Sequence, residues 1–296
     1  DICTLPRSRA ALRGGGIRLA CMTEASDCAC TIVGAGRIGQ ALRDMGTEAG
    51  FTDRMVGRLD SIAADGEGPV YVATRNDALA SVIEKCPPAR KSDLVFYGQN
   101  GYIEDYLKEQ GVFDDSTKVL VYMAVAKLGE KPTDGITELN PEGLTAATGK
   151  WAPQVAARLR GAGLTCKIVE EDSFRASMFE KHMWISAFML LGVHHKGTVG
   201  DVQSKHAGDL KKMIGEMMQV LVEERNVHFT PGVEERLLAY AKTVAHFPTA
   251  LKEFEWRNQF WLDLTRAREA AGKEDMTPFH TKLLLQAKDD GHVSFD

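Results

Sequence analysis

The chain has 296 residues, a formal net charge of −5 and 44% hydrophobic residues. That length can bury a sizeable core and accommodate two domains, while the mild acidity and dispersed basic residues argue against a nucleic-acid surface. The strongest apolar run, Met183 to Val193, falls well short of the roughly 18 to 20 residues of a bilayer span, so the expected partner is a small molecule and neither nucleic acid nor membrane.

Residues 1–28 differ in character from the rest. Arg7, Arg9, Arg13 and Arg18 are spread among small residues, and Asp1 is the only acid before Glu24. The stretch reads as a disordered leader, either the end of an organelle transit segment or a truncated N-terminus. The expected compartment is therefore cytoplasmic or plastid/mitochondrial. Cys3, Cys21, Cys28 and Cys30 crowd this region without CxxC spacing, and Cys86 and Cys166 stand alone, as reduced thiols do.

At Thr31-Ile32-Val33 a short β-branched run enters Gly34-Ala35-Gly36-Arg37-Ile38-Gly39, a GxGxxG sequence. Gly34 suits a tight turn, Gly36 a close approach of backbone to a pyrophosphate, and Gly39 close helix–strand packing. Ile38, Ala41, Leu42 and Met45 then carry helical spacing, so the unpaired N–H groups of that helix would face the phosphates. Ordinary βα turns also contain glycine pairs, but here both flanks agree with a dinucleotide site. The second strand is predicted at Arg54 to Arg58. Arg58 lies 24 residues after Gly34, where an arginine reads a ribose 2′-phosphate and an acid reads a 2′-hydroxyl. Asp60 is the competing residue, so NADP(H) is favoured over NAD(H), the alternative being that Arg58 is a solvated loop residue.

Alternation of strands and helices continues with a strand at Val70 to Thr74, a helix at Asp77 to Lys85 stopped by Pro87-Pro88, and a strand at Asp93 to Tyr97 before Gly98-Gln99-Asn100-Gly101. Further strands are predicted at Lys118 to Val125, Thr137 to Leu139, Leu144 to Ala146 and Thr165 to Val169, with a helix at Pro153 to Arg160. The expected architecture is α/β, a Rossmann doubly wound parallel sheet over 29–170 followed by an all-α domain over 171–296. In that second domain helices are predicted at Ser173 to Leu191, closed by Gly192, and at Gly208 to Arg225, Val233 to Phe247, Thr249 to Ala271 and Pro278 to Lys288. The last is preceded by Thr277 as N-cap. Leu210, Met213, Ile214, Met217, Met218 and Leu221 form a core stripe.

Lys181 enters a helix that is apolar on nearly every side, where a lysine must be paired, used in chemistry or snorkel to a boundary. His182, His194, His195, His206 and His246 show no metal-ligand spacing on one helix, so they read as structural or surface residues and no metal is expected.

Asn100-Gly101 after a strand, Lys181 opening the first helix of an all-α domain, and Lys252-Glu253-Phe254-Glu255-Trp256-Arg257-Asn258 late in the chain together resemble the ketopantoate reductase family. The resemblance runs in order from about Cys30 to the C-terminus. It implies a Rossmann domain joined to a helical domain like that of 6-phosphogluconate dehydrogenase, and reduction of 2-dehydropantoate by NADPH in pantothenate biosynthesis. It also implies that Gly34, Ala35, Gly36, Arg37, Ile38 and Gly39 hold the pyrophosphate, that Arg58 and Arg75 lie near the 2′-phosphate and cofactor, and that Asn100 contacts the ribose or nicotinamide. Lys181 would be the general acid, and Glu253 would bind the substrate's hydroxyl side, with Glu255 the alternative owner of that role. A homodimer through the helical domain is the associated assembly.

Two departures bear on the substrate. The family places asparagines four and eight residues after the lysine, where this chain has the apolar Ile185 and Met189. The family's serine before the glutamate is also absent, with Thr243 or Thr249 as substitutes. The expected function is an NADPH-dependent reductase of a small 2-keto acid with Lys181 as proton donor. Two alternatives stand beside it: a non-catalytic NADP(H)-binding sensor or interaction protein, and a reductase of a bulkier apolar carbonyl compound.

Overall fold

The computed structural model describes residues 26–98 and 100–296. The predicted leader therefore lies outside the described residues except at its last few positions. Among the described residues the first half of the chain forms β1 (Thr31–Val33), α1 (Arg37–Glu48), β2 (Arg54–Val56), β3 (Val70–Val72), α2 (Leu79–Lys85), β4 (Leu94–Tyr97), α3 (Glu104–Glu109), β5 (Thr117–Leu120), β6 (Ala146–Thr148), α4 (Ala152–Gly161) and β7 (Lys167–Ile168). One sheet joins these strands in the order β2-β1-β3-β4-β5-β6-β7.

The central strands β1, β3 and β4 are buried throughout because both faces of the sheet are covered there. Ile32, Tyr71, Val95 and Tyr97 point to one side, where they pack on Leu42 and Met45 of α1 and on Val155 and Leu159 of α4. Their alternates Val33, Val70, Val72, Leu94 and Phe96 point to the other, against Leu79 and Ile83 of α2 and Leu107 of α3. Strand order reverses direction at β1, with β2 on one flank and β3 on the other, and such a switch point opens a crevice beyond the carboxyl ends of the strands.

The expectation of a wholly parallel sheet is corrected at one pair: β6 runs antiparallel to β5, with Val119 opposite Ala147. The chain returns through 121–145 without an intervening helix, and a return of that kind delivers a neighbour in the opposite direction. The strand predicted at Thr137 to Leu139 is instead a turn, in which the Thr137 hydroxyl accepts from the Asn140 N–H at 3.0 Å.

The second half is helical: α5 (Glu171–His195), α6 (Val199–Lys205), α7 (Ala207–Arg225), α8 (Val233–Thr243), α9 (Asn258–Ala270) and α10 (Pro278–Asp289). The methionine stripe of α7 does pack into the core, against Met183, Phe188 and Leu191 of α5 and Trp261 of α9, with Met218 at its edge. Helix α5 overruns its predicted stop. Gly192 lies inside it because the position packs on Thr249, whose Cγ2 would sit 2.1 Å from an added Cβ, and the helix ends at Lys196, which takes φ +55°. The Gly197 N–H then donates to the Gly192 carbonyl at 2.9 Å.

The long helix predicted from Thr249 is shorter than expected. Glu253 adopts φ +49°, a single 3-10 turn spans Phe254–Trp256, and α9 starts only at Asn258. Tyr102 explains the delay, since its N–H takes the Trp256 carbonyl at 2.7 Å and diverts it from a helical ladder. Thr277 does precede Pro278, but its hydroxyl does not cap the helix. Asp275 accepts the Thr277 N–H instead, at 2.7 Å.

Candidate functional site

The three glycines at the end of β1 have distinct steric reasons. Gly34 holds φ +105°, and a Cβ there would lie 2.8 Å from the Ala73 carbonyl oxygen, while a Cβ on Gly39 would lie 1.8 Å from the Gly34 oxygen. Those two are required by the protein itself. Gly36 is different: a Cβ there would meet no atom of the described residues within 4 Å, so it faces open space among them where backbone can approach a ligand.

Helix α1 starts at that point with no side-chain cap and no acid in its first turn. The N–H groups of Arg37, Ile38 and Gly39 are therefore left toward the opening, as anion-binding helix ends leave them. The Arg37 side chain turns aside and donates to the carbonyls of Val125 and Ala126 at 2.8 and 3.0 Å, pinning the segment beyond β5.

A cavity of about 480 Å³ adjoins these glycines. Gly34, Ala35 and Gly36 line it with Arg58 and Asp60 beyond β2, and with Thr74, Arg75 and Asp77 beyond β3. Asp60 and the two arginines differ in their commitments. Asp60 accepts the Gly57 N–H at 2.9 Å and Arg75 pairs with Asp77 at 2.5 Å, whereas Arg58 is exposed and makes no hydrogen bond or ion pair among the described residues. The buried Thr74 hydroxyl also lacks a partner among the described residues. Uncapped amides, an orphaned hydroxyl and a free arginine fit a phosphorylated dinucleotide.

Next along the same sheet edge, Asn100 and Gly101 beyond β4 and Leu120 at the end of β5 meet Met178, Lys181, His182 and Ile185 of α5 around a small pocket of about 20 Å³. Asn100 and Lys181, far apart in sequence, thus share one site. The Lys181 ammonium donates to the Val121 carbonyl at 2.5 Å and lies 5.0 Å from the centre of the Tyr122 ring, and no carboxylate pairs with it among the described residues. Burial, followed by the charge of Arg257, lowers its pKa to about 7.

Glu253 does not line this pocket. It pairs with Arg257 at 2.5 Å, and the Arg257 Nε donates to the Asn100 carbonyl at 3.2 Å. Glu253 is thereby coupled to the lysine through an intervening arginine. Glu255, the alternative for that role, is exposed in the middle of the 3-10 turn.

Arg257 and His182 are absent from the residues that sequence reasoning selected. Arg257 was legible as a basic partner four residues beyond Glu253. His182 carried no such signal, because a histidine in an apolar helix reads as core. It is indeed 2% exposed, stacked on Trp261 with ring centroids 5.3 Å apart. Among the described residues neither ring nitrogen has a hydrogen bond of good geometry, although the Arg257 backbone lies close, and burial lowers its pKa to about 3.

No protein-family model matches the sequence, and no curated protein matches it. The fold nevertheless defines a class: a Rossmann-like, mostly parallel α/β sheet followed by a helical region, the arrangement of the ketopantoate reductases. Among solved structures, a PanE/ApbA family ketopantoate reductase from Ralstonia eutropha superposes with a TM-score of 0.65 at 16% identity, covering 89% of this chain and 100% of that one. D-mandelate dehydrogenase, solved with NADH and anilino(oxo)acetate, gives 0.61 at 14% identity over 90% of this chain and 100% of its own. A dimeric ketopantoate reductase from Staphylococcus aureus gives 0.61 at 12% identity, again over 90% and 100% of the two chains.

Proposed function

We propose that the chain is an NADPH-dependent reductase of 2-oxo acids carrying an apolar side chain, with Lys181 as the proton donor. The observation that carries this reading is the Lys181 ammonium, held at the end of β5 without a carboxylate partner among the described residues and with a pKa lowered to about 7. A group so poised gives up a proton near neutrality and regains it readily.

Bound NADPH supplies the hydride that a carbonyl carbon accepts. The N–H groups at the start of α1 and the backbone of Gly34 to Gly36 hold the pyrophosphate, and Arg58 reads the 2′-phosphate while Asp60 stays occupied with Gly57. Arg75 borders the same cavity. Asn100 orients the nicotinamide end. Lys181 passes one proton to the substrate oxygen as the C=O bond becomes C–OH, stabilising the charge that develops there.

Arg257 has Nε on the Asn100 carbonyl and Nη2 on Glu253, which leaves Nη1 for the substrate carboxylate. Glu253 fixes that guanidinium. The apolar contacts support the choice of side chain. Leu120, Met178 and Ile185 surround the lysine, and Gly101, Leu120 and Met178 also border a second cavity of about 50 Å³ lined by Phe96, Phe113 and Phe174. The reading includes a homodimer, drawn from the dimeric neighbour.

NADPH oxidation by the purified chain tests this, with ketopantoate, 2-oxo acids bearing aliphatic or aromatic side chains, and ketones lacking a carboxylate. Turnover of the apolar 2-oxo acids above the other compounds is expected. Tight NADPH binding without turnover of any of them would instead make the chain a nucleotide-binding sensor or interaction protein.

A further inference from the structure

Away from the sheet, α5 ends at His195, α6 gives way to α7 at His206, and Asp209 lies in the first turn of α7. The chain separates these residues, yet one ligand atom from each lies within 4.8 Å of the other two. His195 Nε2 stands 3.0 Å from Asp209 Oδ2, and the His195 and His206 rings are stacked with centroids 3.5 Å apart and planes 8° from parallel. The His206 ring makes no hydrogen bond among the described residues, and all three side chains are half-buried, within reach of an incoming ion.

We propose that His195, His206 and Asp209 form a binding site for a zinc-type divalent ion. Two imidazoles, which are borderline donors, and one carboxylate make a ligand set zinc accepts, with a fourth position left for water. Metal–ligand bonds of about 2.0–2.1 Å set the edge of a tetrahedral site at roughly 3.3 Å, and the His195–Asp209 separation of 3.0 Å already lies close to such an edge. The rings are parallel as they stand, so the imidazoles turn out of the stack about their side-chain bonds before a nitrogen of each meets a common ion.

The ion would bridge the end of α5 to the start of α7 across α6. None of its ligands lines the lysine pocket or the dinucleotide cavity, so the role is that of a staple on the helix that carries Lys181. The site stands independently of the reductase reading.

Tag-free, chelator-treated chain titrated with ZnCl2 in a calorimeter tests the site, alongside thermal unfolding with and without the ion. The expected result is one equivalent bound with micromolar or tighter affinity and a raised Tm that chelator reverses. His206→Ala and Asp209→Asn should each weaken binding roughly tenfold or more, and Asp209→Asn keeps the side-chain shape should the histidine variant fold poorly. No binding by the wild-type chain overturns the proposal. So does equal binding by the folded wild-type and variant chains, which would make the cluster an ordinary histidine–aspartate hydrogen bond.

Discussion

Beneath the N-terminal ends of the strands, the Arg158 guanidinium is buried and fully engaged: it meets Asp53 at 2.6 Å, Asp27 at 3.1 Å and the Cys28 carbonyl at 2.8 Å. At the opposite ends of those strands, Lys181 has one backbone acceptor and a ring face, Arg58 has neither acid nor carbonyl, and the Thr74 hydroxyl and His182 ring have no good hydrogen bond among the described residues. The contrast is one of satisfaction, since both ends contain charged and polar side chains. Closed networks hold α4 to the sheet, and open ones wait for a ligand.

Lys181→Ala tests the open end with the largest expected effect. Turnover should fall by about 10²–10⁴-fold, with NADPH affinity from fluorescence titration nearly unchanged; an undiminished turnover removes Lys181 as the acid. Wild-type reduction requires the ammonium form, so its rate should decline as pH rises through about 7, the value to which burial lowers this group, and that decline should vanish in the variant.

At the closed end, Asp53→Ala leaves Arg158 with an incomplete set of acceptors and should cost about 3–5 kcal/mol in urea unfolding. The folded fraction should retain its NADPH affinity. A loss of affinity in that fraction would mean that the two ends are not separable.

The smallest expected effect belongs to Arg58→Ala, where losing charged hydrogen bonds to a phosphate costs about 1.5–3 kcal/mol, or roughly tenfold or more in NADPH binding. NADH affinity should stay constant, and an equal loss for both cofactors contradicts the 2′-phosphate role.

How far the sequence revealed these two ends follows from how local each constraint is. Gly34 and Gly39 were legible because a tight turn and a close contact act between residues near in sequence or already paired in the sheet. The Asn100–Lys181 juxtaposition was legible through resemblance alone, as no local pattern specifies it. Gly192 misled because glycine serves equally to end a helix and to admit a neighbour, and the neighbour, Thr249, is remote in the chain. The antiparallel β6 depended on the path of a long return segment, and the delayed start of α9 on one carbonyl captured by Tyr102. Arg158 was hidden for the same reason: its acids precede it by more than a hundred residues.

The meeting of Gly101 with Trp256 has a mechanical consequence. Gly101 takes φ +146°, and a Cβ there would lie 2.4 Å from the Trp256 carbonyl oxygen, beside the hydrogen bond from Tyr102. The strand-end loop and the helical half are therefore seated on each other at bare backbone, and the angle between them is set by a hard stop. Any larger residue at 101 acts as a wedge between the two halves of the molecule, at the same seam where the Arg257 Nε meets the Asn100 carbonyl.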